Sequence, residues 1–193
     1  MFDKIYLINY TYQNISFFIR EIMKYRVIKK QENSKNCLVC GLKNPFGLKT
    51  NFYELENGEL LAIFKCINEH QSYPNRAHGG IISSILDEAI GRAIMIKYGT
   101  IWGVTIELNV QFKKPVPIGE DLKVVSRIIK DSPRIFEGTG ELILNNGEIA
   151  ATGYGRYLKV PLDKIGDFDH EEQEWRVIEN ENDPKEIELP DKN

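Results

Sequence analysis

The residues able to do chemistry are concentrated between Arg76 and Ala93: His78, Gly79, Gly80, Ser84, Asp87 and Glu88. Apolar residues at 82, 85, 86, 89, 90 and 93 recur with the helical period, and most of the remainder is small. That composition predicts a helix enclosed by the protein, with one narrow polar stripe of Ser84, Asp87, Glu88 and Gly91. A carboxylate in such a helix is costly unless it is paired or working. Glu88 has a partner in sequence, because Arg92 follows four residues on in the favoured order. Asp87 has none, and Ser84 and Gly91 leave room beside it, so Asp87 is the candidate general base or nucleophile.

Gly79 and Gly80 stand where the helix should begin, after Pro74 and Asn75. Helix-start N–H groups backed by the helix dipole suit an anion or a developing oxyanion, and glycine lets a ligand approach the backbone. A tight turn is the plainer reading of the same pair. His78 has three readings: a cap on the turn, a core residue, or a group that polarises a carbonyl. Seven residues along one helix separate Gly80 from Asp87 by about 10 Å. A base and an oxyanion site must lie within one reacting group of each other. Two antiparallel copies of the helix, in a dimer, bring Asp87 of one chain to Gly80 of the other.

His78-Gly79-Gly80, with Asp87 nine residues after the histidine, resembles the hotdog-fold acyl-CoA thioesterases of the phenylacetic-acid-degradation type. The resemblance extends to Cys37-Leu38-Val39-Cys40-Gly41 with Asn44-Pro45-Phe46-Gly47-Leu48, and to Phe112-Lys113-Lys114-Pro115-Val116. It implies an α+β fold in which a long central helix is wrapped by a curled antiparallel sheet of about five to six strands. It further implies dimers, or dimers of dimers, with the site between subunits. By that likeness Asp87 activates water or attacks the thioester, the Gly80 N–H polarises the carbonyl with help from Gly79, and His78 supports the loop. Some relatives place an amide residue several positions before the His-Gly-Gly; here position 72 is Ser, and the nearest amides are Gln71 and Asn75. The substrate-binding candidates are Gly79, Ser84, Asn75, Lys113 and Lys114. Lysines at a strand end can take the phosphates of a coenzyme A tail, or simply guard a sheet edge.

Two other functions compete with acyl-CoA or aryl-CoA hydrolysis. A non-catalytic acyl-CoA-binding sensor would use the same pocket, but an uncharged thioester gains nothing from a buried carboxylate. A hotdog dehydratase needs a histidine paired with an acid against an acyl β-carbon, and a histidine at the helix mouth fits that less well. Hydrolysis needs polarisation, a base and water, so no cofactor is expected.

The surrounding chain must position these groups. Strands are predicted at Leu48–Leu55, Glu59–Ile67, Trp102–Lys114, Glu120–Lys130, Ile135–Leu144 and Glu148–Val160. Glu56-Asn57-Gly58 and Asn145-Asn146-Gly147 read as hairpin turns. Strands grouped around one long helix indicate α+β rather than alternating units. Cys37 and Cys40 form one Cys-x-x-Cys, and Cys66 is the only other cysteine. A structural zinc site usually takes four ligands, so a single pair reads as a structural knuckle unless a partner chain completes it. No metal site is expected.

Residues 1–36 are expected to be an extension and linker, with a short helix over Ile15–Tyr25. Residues 37–162 are the expected hotdog domain, with 14 basic and 13 acidic side chains. That balance offers no electrostatic footprint for nucleic acid. Residues 163–193 carry 12 acidic and four basic residues and are expected to be a mostly disordered tail, either solubilising or paired with the basic N-terminal segment. No apolar run reaches the roughly 18 residues of a membrane helix. The first residues lack the pattern of a signal peptide, so a cytoplasmic protein is expected.

Overall fold

The computed structural model describes residues 22–166, 169 and 171–190. Its strands are β1 (Ile22–Lys30), β2 (Asn51–Leu55), β3 (Leu60–Lys65), β4 (Ile101–Phe112), β5 (Asp121–Asp131), β6 (Ile135–Ile143), β7 (Ile149–Pro161) and β8 (Glu186–Pro190). Helix α1 (Gly79–Arg92) is followed by a single turn, α2 (Met95–Tyr98). All strand pairs are antiparallel, in the order β4-β7-β6-β5-β3-β2-β1-β8.

The helix packs across the sheet, on β3 through β7. Ile82, Ile85, Leu86, Ala89, Ile90 and Ala93, the residues of the expected apolar face, are all buried. Burial of each large aliphatic side chain is worth roughly 1.5–3 kcal/mol, so this face is what holds the helix in the sheet. Close approach requires glycine. A Cβ on Gly138 would lie 2.7 Å from Ile90 Cγ2, and one on Gly153 would lie 3.1 Å from Ile90 Cδ1. The expected hairpin turns are present, with positive φ at Gly58 (79°) and Gly147 (81°).

The fold is hotdog-like α+β, but the sheet has eight strands rather than five to six, and it is not closed. The six predicted strands are all there; β1 and β8 are the additions. The helix expected over Ile15–Tyr25 is not formed where it can be seen: Ile22–Tyr25 belong to β1, and the remainder of that stretch lies outside the described residues. Disorder was expected of the acidic stretch after Asp163, whereas much of it is docked. Glu186–Pro190 pairs with Ile22–Arg26, and Lys24 forms a salt bridge with Glu186. Lys30 and the Tyr53 hydroxyl both reach Asp183, each at 2.7 Å. Trp175 packs against Trp102, with ring centroids 4.5 Å apart. The β1–β8 pairing and the Lys24 and Lys30 contacts tie the basic N-terminal segment to the acidic one. Among the described residues no helix is long and apolar enough to cross a membrane.

Candidate active site

Asp87 emerges from the middle of α1 towards β4 and β7. Its Oδ1 accepts from Thr105 Oγ1 at 2.9 Å and from the Tyr157 hydroxyl at 3.1 Å. The Tyr157 hydroxyl also lies 3.1 Å from the Asp87 main-chain carbonyl. Thr105 and Tyr157 are direct cross-strand partners, which places both donors on one face of the sheet. Tyr157 is fully buried and stacked on Phe136 at 5.0 Å. Burial first, then the Asp87 charge, pushes its phenol far above its ordinary value, so it stays a donor. Oδ2 of Asp87 takes no hydrogen bond among the described residues and is left for a water or a substrate.

The carboxylate lines a cavity of about 240 Å³ with Gly91, Met95, Trp102 and Trp175. This cavity opens beside β4, which is the edge of the sheet. Val104, Ile106 and Phe112 are large apolar residues exposed along that edge, at 42%, 52% and 56%.

At the other end of the helix, His78 is the N-cap. Its Nδ1 accepts from the Gly80 N–H at 2.9 Å. Of the three readings of His78, the structure therefore shows the cap, and the side chain is exposed. The Gly79 N–H has no hydrogen-bond partner among the described residues. Phe112 lies over this end, 3.4 Å from where a Gly79 Cβ would be. The end of β4 thus meets the helix mouth, and Lys113 and Lys114 follow there, both exposed. Lys114 pairs with Glu148. Asn75 is exposed in a turn at φ 60°, with its N–H on Gln71 Oε1 at 2.8 Å. Ser84 donates to the Gly80 carbonyl at 2.8 Å, so its hydroxyl is engaged within the helix. His78, Gly79 and the Lys113–Lys114 end of β4 are thus gathered at the helix mouth. Asp87 stands about 10 Å further along the same helix.

Several contributors were missed from sequence. Thr105 and Tyr157 are remote from Asp87 in the chain, and only strand register brings them there. Glu88 has its expected Arg92 partner, Nε to Oε1 at 2.9 Å, but its Oε2 also lies 3.1 Å from Cys37 Sγ. The one advance signal was that Cys37, Cys40 and the polar helix stripe belong to the same region of resemblance.

The sequence profile of the thioesterase superfamily matches residues 75–151. An uncharacterized protein of Schizosaccharomyces pombe is 32% identical over 75 residues, 39% of this chain and 43% of that protein. Human acyl-coenzyme A thioesterase 13 is 23% identical over 94 residues, 45% of this chain and 67% of that enzyme. The match thus spans less than half of the yeast protein and about two thirds of the human one. A thioesterase superfamily protein of known structure superposes with a TM-score of 0.59 at 21% identity, over 64% of this chain and 63% of its own. At that identity the likeness speaks for the fold, and it agrees with the helix-in-sheet arrangement described above. Residues 75–151 thus carry the sequence pattern of the thioesterase superfamily, within a hotdog-like fold.

Proposed function

We propose that this protein hydrolyses acyl-CoA or aryl-CoA thioesters to the free acid and CoA, at a site formed between two copies of the chain. The observation that carries the reading is the setting of Asp87: two hydroxyl donors fix one carboxylate oxygen, and the other is left open at a cavity beside the sheet edge. Similarity to an acyl-coenzyme A thioesterase points to the same substrate class.

In this reading Asp87 accepts the proton of an attacking water, or attacks the thioester carbonyl itself. The Gly79 and Gly80 N–H groups of the partner copy stabilise the oxyanion, helped by the helix dipole. His78 holds the Gly80 N–H until a substrate carbonyl displaces the ring. Asn75, Ser84, Lys113 and Lys114 surround the entrance, the lysines for the phosphates of the coenzyme. The exposed apolar edge of β4 supports pairing of two sheets, as a dimer or a dimer of dimers. The His78-Gly79-Gly80 to Asp87 spacing supports the phenylacetic-acid-degradation type. Residues 37–162 form the catalytic unit, with 1–36 as an N-terminal extension and linker and 163–193 as an acidic tail, in a cytoplasmic protein.

Subunit mixing tests the shared site. Asp87→Ala and Gly80→Pro homodimers are each expected to be inactive. Exchange of the two should restore about one working site per heterodimer. If the exchanged mixture stays inactive, the two groups do not act across subunits.

A further inference from the structure

Cys37 and Cys40 are not merely a folded knuckle, because α1 delivers a third ligand to them. Cys37 Sγ, Cys40 Sγ and a Glu88 carboxylate oxygen all lie within 4.8 Å of one another. We propose that these three groups bind one zinc-type divalent cation per chain, with a fourth coordination position open to the cavity that Asp87 lines.

The loop is wrapped around the Cys37 sulfur. The N–H groups of Val39 and Cys40 approach Cys37 Sγ at 3.3 and 3.5 Å. Both donors hold the sulfur in place at the turn. The turn closes through the Gly41 N–H on the Cys37 carbonyl at 3.0 Å. Only glycine fits there, because a Cβ on Gly41 would lie 2.3 Å from the Cys37 oxygen.

The ligands are also held from behind, as first-coordination groups of metal sites generally are. Arg92 takes Glu88 Oε1 with its Nε, which leaves Oε2 turned to Cys37. Its Nη2 lies 3.1 Å from Cys40 Sγ, and its Nη1 donates to the Glu32 carbonyl at 3.0 Å. The guanidinium is buried and sits against the rings of Phe52, at 4.5 Å, and Trp175, at 5.0 Å. It cannot swing away without breaking this packing.

Charge completes the case. Two thiolates and a carboxylate carry three negative charges, and Arg92 offsets one. A divalent cation neutralises the other two, where a buried surplus would otherwise be costly. Two soft sulfurs and one oxygen suit zinc, and three protein ligands with one open position make the type of site that retains a water. The site goes beyond the hydrolase reading and does not depend on it.

Cobalt titration of the reduced, chelator-treated full chain without oxygen is the test. Expected is one Co(II) per chain, with a thiolate-to-metal charge-transfer band, intense four-coordinate visible absorption, and loss of both on adding one equivalent of Zn(II). Cys37→Ser and Cys40→Ser should each lose charge-transfer intensity. Glu88→Gln should keep the band while zinc affinity falls at least about ten-fold. Absence of the band, half a cobalt per chain with four-thiolate intensity, or unchanged affinity in Glu88→Gln would each overturn the assignment. If the serine variants do not fold, alkylation of wild-type Cys37 reads the same site. Zn(II) should slow it at least about ten-fold, and equal rates with and without zinc would overturn the proposal.

Discussion

Thr105 and Tyr157 face each other across the β4–β7 pair, and both donate to the same oxygen, Asp87 Oδ1, at 2.9 and 3.1 Å. The sheet thereby sets the rotamer of the one helix carboxylate that has no partner on its own helix. Two donors on one oxygen fix the carboxylate's orientation and leave the other oxygen without a partner among the described residues.

Tyr157→Phe should preserve the stack on Phe136 while removing the donor. Thioesterase kcat/KM is expected to fall about ten-fold, equivalent to roughly 1.4 kcal/mol, with about 1 kcal/mol lost in stability. Thr105→Val should act in the same direction. Steady-state kinetics beside thermal melts would separate the two effects. Full activity in both variants would show that Asp87 does not need this positioning.

The edge of β4 gives a second prediction. Val104 and Ile106 lie exposed on a strand with one unpaired side. Placing lysine at both positions should disfavour edge pairing. Sedimentation is expected to show monomers, and activity should fall with the dimer fraction. An active monomer would contradict a site shared between chains.

Asp131 links α2 to the sheet through Lys97 at 2.7 Å, the Tyr98 hydroxyl at 2.8 Å and a salt bridge from Lys159. Burial alone would raise its carboxyl, but the bonds from Lys159, Lys97 and Tyr98 outweigh it and hold the group well below the usual carboxylate range. A depressed folded-state value contributes stability that is fully present above the unfolded value of about 3.9 and is lost as pH falls through the folded one. Asp131→Asn should therefore cost about 1 kcal/mol at pH 7, and the gap to wild type should narrow as pH drops below about 4. Denaturant melts at several pH values would check this. A gap that does not change with pH would mean that the carboxylate charge is not what matters.

The central helix was legible because its apolar period is local. The residues expected to be buried, Ile82 to Ala93, are the ones the sheet covers. The hairpins at Asn57-Gly58 and Asn146-Gly147 were legible for the same reason. β1 and β8 were not, because their pairing joins Tyr25 to Ile187 across most of the chain, between segments dominated by charge. The polar setting of Asp87 was equally hidden. The residue could be chosen for having no partner nearby in sequence, but Thr105 and Tyr157 arrive only through the β4–β7 register. Glu88 was assigned wholly to Arg92 because one helix turn accounts for one of its oxygens, and nothing local points to Cys37.

Gly138 shows the other side of that limit. It lies within the predicted strand Ile135–Leu144, where nothing local marks it for packing, yet its missing Cβ is what admits Ile90. Gly138→Ala is expected to cost about 1–3 kcal/mol through overpacking at Ile90 Cγ2 and the Arg127 carbonyl. A thermal melt unchanged from wild type would show that the helix can shift to accommodate a methyl group.

The most direct measurement is release of free thiol from a panel of short-chain, long-chain and aromatic acyl-CoAs, with Asp87→Ala beside the wild type. Turnover on at least one class is expected, abolished in the variant while that variant stays folded and self-associated. Either no turnover on any member while acyl-CoA still binds tightly, or undiminished turnover in Asp87→Ala, would contradict a hydrolase centred on Asp87.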